Sequence, residues 1–164
     1  MSNWRWNNLN RFPANIQKFI SQSDMELLDG YIRFIDPQDI DQFLKIFERK
    51  EFWESDVPFA TTAFGDIFAW NVDGYIQLYK MVDGMSEIIM SGDEFFAQNV
   101  GDSIFQKTYF DLELFFDAQK KYGKLLPDQC YAFIPIPALG GKKELNSVEV
   151  EPLLSYLALL SDTF

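Results

Sequence analysis

A chain of 164 residues with 48% hydrophobic side chains is long enough for one domain with a real core and too short for two ordinary domains. Its 14 Lys and Arg residues stand against 25 Asp and Glu residues, and the net charge of −11 disfavours nucleic acid and anionic lipid as partners while favouring basic ones. There is no histidine, which removes the usual general base and metal ligand, and the single cysteine, Cys130, excludes an internal disulfide and a cysteine zinc site.

Cys130 lies in an apolar run and is interpreted as a buried, inert thiol, because no histidine is available to activate it. The amino terminus lacks the apolar segment of a secretory signal, and no apolar run approaches the roughly 20 residues that a membrane span needs. We therefore expect a cytoplasmic protein.

The first two helices are predicted from capping residues and apolar periodicity. A short helix is expected over residues 15–21, after an arm whose two tryptophans are interpreted as docking on the domain rather than stacking on nucleic-acid bases. Asp36 followed by Pro37 fits the start of a second helix, because aspartate caps helices and proline suits the first helical position. The apolar face of that helix follows at helical spacing: Ile40, Phe43, Leu44 and Phe47.

The run from Pro58 to Met90 gives the clearest local signals and is predicted to form a β-meander of three strands. The first strand is interrupted at Gly65-Asp66, where a bulge or tight bend is expected. Asp73-Gly74 and Asp83-Gly84 supply two turns that are one strand length apart, because Asp-Gly reaches positive φ at low steric cost. We expect this sheet to be the platform on which the helices pack.

The remainder of the chain is predicted to contain more helix and two further strands. A helix opens after Ser91, and a longer helical stretch ends at Gly123, the position that glycine favours after a helix. The start of that stretch is ambiguous between a capping box at Ser103 and an aspartate cap at Asp111. A buried strand over residues 129–134 and a closing strand and helix over residues 148–160 complete the chain.

These elements indicate an α+β fold. We predict a mainly antiparallel, twisted sheet with the β-meander at its centre and with helices packed on it, as a single compact domain.

Three short patterns suggest chemistry, and each has a simpler interpretation. Residues 138–143 lack the glycine and the Ser or Thr of a P-loop, so Gly140-Gly141 is interpreted as a turn. Carboxylate pairs such as Asp93-Glu94, or Asp36 with Asp39, offer the oxygen ligands that magnesium prefers, but such pairs arise routinely in acidic domains. Pro127-Asp128 is not followed by the acidic-x-Lys strand of a common nuclease motif. We therefore predict no catalytic residue, no cofactor and no metal.

Two segments resemble a known family pattern. They read PFATTAFGDIF over residues 58–68 and PDQCYAFIP followed by ALGG over residues 127–141. Together they resemble GAD-like proteins with a Tdi-type carboxy-terminal region, bacterial proteins that include immunity proteins against type VI secretion DNase effectors. The resemblance implies a GAD-like region over residues 1–110 and a Tdi-type region over residues 111–164, both within one compact domain. Ala132 stands where the pattern has glycine, which affects strand geometry rather than membership.

The resemblance and the charge together predict an immunity protein that neutralises a cognate toxin in the producer's cytoplasm. A nuclease toxin must be basic to hold phosphates. An inhibitor with net charge −11 therefore mimics the electric field of the toxin's nucleic-acid substrate and is steered to the toxin. The predicted contacts are exposed acids on the second helix and its exit, together with acids near the strand turns: Asp39, Glu54, Asp56, Asp66 and Asp73.

Two other classes of function stay open. A small-molecule-binding or regulatory module is favoured if a deep, polar-lined cavity lies between the sheet and the carboxy-terminal helix. A metal-dependent hydrolase requires at least three carboxylates that converge within coordination distance.

Overall fold

Short helices and antiparallel strands make up the structure, a computed structural model that describes residues 9–22, 26–47 and 56–163. The helices of these ranges are α1 (Ala14–Ser21), α2 (Ile40–Phe47), α3 (Phe96–Val100), α4 (Ser103–Tyr109), α5 (Leu112–Tyr122) and α6 (Leu153–Ser161). The strands are β1 (Glu26–Leu27), β2 (Ile32–Phe34), β3 (Asp56–Thr62), β4 (Ile67–Asn71), β5 (Tyr75–Lys80), β6 (Met85–Ser91), β7 (Gln129–Phe133) and β8 (Val148–Pro152). Trp4 and Trp6 of the predicted arm lie outside the described residues.

Strands β1 to β6 form one open sheet in sequence order, and every neighbouring pair is antiparallel. Strands β7 and β8 form a separate antiparallel pair. Short turns join the consecutive strands from β3 to β6, which favours such nearest-neighbour pairing, whereas β2 and β3 are joined by a longer connection that contains α2. The predicted α+β class, with a mainly antiparallel sheet in one compact domain, is confirmed.

The predicted count of three strands in the meander is wrong, because Gly65-Asp66 is a complete hairpin turn between β3 and β4. Gly65 adopts φ +91°, and the Thr62 N–H donates to the Asp66 carbonyl at 2.8 Å, which closes the turn. The irregularity lies instead within β3, where the register shifts between Pro58 and Ala60. Proline has no N–H to donate to the ladder, so a bulge beside it is expected.

The two predicted Asp-Gly turns are confirmed. Gly74 and Gly84 both adopt positive φ, at +94° and +65°. In the first turn the Asn71 side chain also accepts a hydrogen bond from the Asp73 N–H at 2.8 Å, which fixes the chain direction at the end of β4.

The helix starts differ in detail from the prediction. The predicted helix over residues 15–21 is confirmed as α1, but α2 begins at Ile40 rather than at Pro37. The Asp36 side chain caps a turn that precedes α2, accepting from the Gln38 N–H at 3.0 Å.

The ambiguous helical stretch consists of two helices. Asp102 caps α4 by accepting from two backbone N–H groups, and Asp111 caps α5 by accepting from the Leu114 N–H. Ser103 is therefore the first residue of a helix rather than its cap. The predicted end at Gly123 is confirmed, with φ +83°.

A cluster of phenylalanines joins the helices to the sheet. Phe96 of α3 is fully buried, and its ring lies 5.3 to 6.2 Å from the rings of Phe19, Phe34, Phe59 and Phe68. These residues belong to α1 and to strands β2, β3 and β4, so the helices pack on the sheet as predicted.

The small sheet is attached at the β3–β4 turn. The Tyr131 N–H of β7 donates to the Ala63 carbonyl at 2.8 Å, and Phe64 stacks on Phe133 at 5.3 Å. Cys130, between these contacts, is fully buried, and burial raises the pKa of its thiol to about 12. The predicted buried thiol is confirmed.

Candidate functional site

The five acids predicted as partner contacts occupy different environments. Asp73 is exposed at the β4–β5 turn, and Asp39 is half-buried just before α2. Asp56 and Asp66 are only 6% and 7% exposed, so the interpretation of these two as surface acids is wrong. Glu54 lies outside the described residues.

Asp56 lies buried in the sheet, where its side chain links three strands. Its carboxylate accepts hydrogen bonds from the Asn71 amide of β4 and from the Tyr79 hydroxyl of β5. Burial, followed by the hydrogen bond to Asp56, raises the pKa of Tyr79 far above its ordinary value, so the hydroxyl stays a donor. Asp56 therefore has a structural role in the sheet.

Removal of the Tyr79 hydroxyl is expected to leave part of the Asp56 carboxylate unpaired. Tyr79→Phe should lower the free energy of unfolding by about 2 kcal/mol, the usual value of a hydrogen bond to a charged group. Urea denaturation at pH 7 measures the change. Tyr75→Phe, half-buried on the same strand, is the control and should change stability by less than about 0.5 kcal/mol. Equal losses in the two variants would contradict a specific role for the hydroxyl.

Asp66 lines a cavity of about 210 Å³ together with Lys80, Asp83 and Lys143. Lys143 forms an ion pair with Asp83, and Lys80 lies 4.0 Å from the same carboxylate. One oxygen of Asp66, Oδ1, has no hydrogen-bond partner among the described residues. Burial raises the pKa of Asp66 to about 6, although Lys80 opposes the increase. The turn that begins at Thr62 thus carries a carboxyl group inside the fold rather than on its surface.

A larger cavity, of about 590 Å³, lies between the main sheet and the carboxy-terminal helix. Its lining includes strand residues Arg33 and Thr61, helix residues Phe43 and Leu153, and the acids Asp36 and Asp39. Leu153 is the one described residue of the carboxy-terminal helix in this lining, and a small-molecule module stays a prediction. Of the four predicted acids that the structure describes, Asp39 is the one that lines the cavity.

Arg33 is the unusual residue of this larger cavity. It is 9% exposed, and its Nη1 donates to the Leu126 carbonyl at 3.1 Å. Its Nε and Nη2 atoms have no hydrogen-bond partner among the described residues. Burial lowers the pKa of Arg33, yet guanidinium remains charged at any physiological pH. Arg33 was not among the predicted site residues, although its position as a lone cation within the apolar run Tyr31 to Ile35 is a sequence signal for it.

Metal binding requires a cluster that the described ranges do not contain: no three His, Cys, Asp or Glu side chains in them lie together in a way that could hold an ion. Of the helices in the described part of the chain, none combines the length and the hydropathy of a bilayer span.

The open antiparallel sheet and the helices packed on it define an α+β protein. A crystal structure of Atu4351 from Agrobacterium tumefaciens has a similar fold, with a TM-score of 0.72 and 18% sequence identity over 98% of this chain and 80% of that chain. Residues 90–163 match the family model described as "T6SS immunity protein Tdi1, C-terminal". This segment confirms the resemblance to the Tdi-type immunity family. A search of curated proteins gave no match.

The matched segment begins in β6 and includes α3 to α6 and the small sheet. The predicted division at residues 110 and 111 stays a prediction. In the structure the segment does not pack separately, because Phe96 lies within the core of the main sheet.

Proposed function

We propose that this chain is a non-enzymatic immunity protein, which binds a cognate secreted toxin of the DNase type in the cytoplasm of the producing bacterium and keeps it inactive. The match of residues 90–163 to a family named for type VI secretion immunity carries the proposal. An immunity protein acts by occupying its toxin, and such a role needs neither a cofactor nor a catalytic residue.

The charge of the chain suits a DNase as the partner. DNA-binding surfaces are basic because they must neutralise phosphates. A protein with net charge −11 is attracted to such a surface over several ångströms and associates faster at low ionic strength. The net negative charge of the chain therefore favours a basic toxin as the partner. It disfavours nucleic acid or an anionic membrane.

One end of the main sheet combines exposed apolar and acidic side chains. A backbone hydrogen bond of 2.8 Å joins the β4–β5 turn to the segment that follows β6. Val72 and Phe95 at this junction are 70% and 58% exposed, and Asp73 and Glu94 beside them are exposed acids. We call these four residues the turn patch. Apolar anchors within a charged rim are typical of protein interfaces, and the acidic rim fits a basic toxin.

The direct test uses the cognate toxin domain, which we expect the neighbouring gene to encode. We expect equimolar protein to abolish DNA cleavage by that domain and the two to co-purify. The dissociation constant should rise by about tenfold or more as salt rises from low to high concentration, because screening weakens the attraction. A toxin with an acidic binding face, or an affinity that salt does not change, would refute electrostatic steering.

Charge reversal separates contact from overall charge. Asp73→Lys should weaken toxin binding by about tenfold or more, because it places a cation in the patch facing a basic surface. Glu149→Lys is the matched control, since it changes net charge equally but lies on β8, beside the opposite end of the main sheet. Binding is measured by calorimetry at low salt. Equal losses in the two variants would show that overall charge, and not the turn patch, decides affinity.

A further inference from the structure

The larger cavity has the size of a small-molecule site. Its volume of about 590 Å³ lies within the roughly 300–1,000 Å³ of such sites. Strands β2 and β3 and helix α2 bound one side, and residues 124–127 with the start of α6 bound the other. The turn patch contributes no residue to the lining, so this cavity is separate from the proposed toxin contact.

The sheet side of the cavity contains a buried cation, Arg33. Its Nη1 donates to the Leu126 carbonyl, and its Nε and Nη2, which are shielded from solvent, find no acceptor among the described residues. No ion pair within the described ranges involves Arg33. A buried guanidinium gains most from a carboxylate, because two parallel N–H groups match the two carboxylate oxygens.

The helix side of the cavity carries the opposite charge. Asp36 and Asp39 line it at the entrance to α2, and burial, followed by repulsion from Asp36, raises the pKa of Asp39. Lys124 and Glu26 are also in the lining, and they pair with each other at 2.7 Å. A dianion such as phosphate would meet Arg33 and at the same time be repelled by the acids. A molecule with one carboxylate and one ammonium group complements both sides.

Apart from Gln38 and Thr61, the rest of the lining is apolar. Phe43, Leu125 and Leu153 come from three different elements and offer a hydrophobic surface between the two charged sides. We propose that the cavity binds a zwitterion of the amino-acid type, with its carboxylate on Arg33, its ammonium group facing Asp36 and Asp39, and an apolar side chain against these three residues. Binding of this ligand does not depend on the toxin.

The ligand class is tested with L-leucine and L-phenylalanine on the full chain. Calorimetry and thermal unfolding should show saturable binding and a raised Tm, because a ligand that binds the folded state stabilises it. 4-Methylpentanoate, which is leucine without its amino group, should bind at least about tenfold more weakly. Inorganic phosphate should not bind. A preference for phosphate, or no saturable binding of either amino acid at millimolar concentration, would overturn the proposal.

Two variants test the charged sides separately. Arg33→Met keeps the length of the side chain and should lower affinity for leucine by about a hundredfold, while Asp39→Asn should lower it by about tenfold. Asp39→Asn should also reduce the preference for leucine over 4-methylpentanoate, an effect that a merely structural role would not produce. Lys107→Met removes an exposed cation from α4 and serves as the control.

Unchanged affinity in Arg33→Met would refute the carboxylate contact. If that variant does not fold, Asp39→Asn decides the outcome, because it alters a half-buried side chain that is not part of the core. An Asp39→Asn variant with the affinity and the preference of the unaltered chain would refute the ammonium contact. Toxin inhibition is measured separately on Arg33→Met, which lies outside the predicted toxin contacts and is expected to inhibit normally, so failure here is distinguishable from failure of the proposed function.

Discussion

Phe96→Ala is expected to lower the free energy of unfolding by about 4 kcal/mol, as in other cases where a large buried aromatic side chain is truncated. Phe96 is fully buried and contacts rings from α1 and three strands of the main sheet. The cavity left by the truncation has four rigid aromatic walls and cannot readily collapse. Denaturation in urea, followed by near-UV circular dichroism, measures the loss.

The neighbouring residue provides the control for this prediction. Phe95 is 58% exposed, and Phe95→Ala removes the same number of atoms one position away. We expect a change of less than about 0.5 kcal/mol. A large loss in both variants, or in neither, would mean that Phe96 does not anchor the helical part of the chain to the sheet.

Stability should also depend on the protonation of Asp66. Burial raises the pKa of this carboxyl from 3.8 to about 6, so the folded state binds the proton more tightly than the unfolded state. The contribution of Asp66 is therefore most favourable below pH 4 and is lost as pH rises through about 6. A shift of this size corresponds to a loss on the order of 3 kcal/mol at pH 7.5.

Asp66→Asn removes this dependence, because the amide does not ionise. The variant should be more stable than the unaltered chain by on the order of 3 kcal/mol at pH 7.5 and should differ little at pH 4. Urea denaturation of both proteins at both pH values measures their difference in free energy of unfolding. The titration of other groups contributes equally to both proteins and cancels in this difference. Asp73→Asn alters an exposed side chain and serves as the control. Its effect on stability should not differ in this way between the two pH values. If Asp66→Asn were destabilising at pH 7.5, the electrostatic attraction of Asp66 to Lys80 and Lys143 would outweigh the cost of its burial.

Local signals account for what the sequence predicted well. Asp-Gly turns and a glycine after a helix are each set by a few adjacent residues, so they are visible without knowledge of the fold. The prediction at Gly65-Asp66 was wrong, because a bend within one strand and a turn between two strands differ only in which strand residues pair with each other. That difference depends on residues that are distant in sequence.

The burial of charged residues was the main thing that sequence could not reveal. Asp56 resembles any acid at the end of a helix, and its burial depends on Asn71 and Tyr79, which approach it only when the sheet forms. Arg33 likewise becomes a cavity residue only when the connector at residues 124–127 covers β2. Candidate sites thus arise from long-range packing, whereas composition reports only the average character of the surface.

The reaction of Cys130, the single cysteine of the chain, with a sulfhydryl reagent can report local opening of the structure at β7. Cys130 is fully shielded, and its raised pKa keeps the thiolate scarce, so a sulfhydryl reagent gains access only when the structure around β7 opens. Because the chain has no other cysteine, the labelling rate reports opening around this one residue without any engineered marker. The opening of the structure around β7 can therefore be timed in the unaltered protein, free or in a complex.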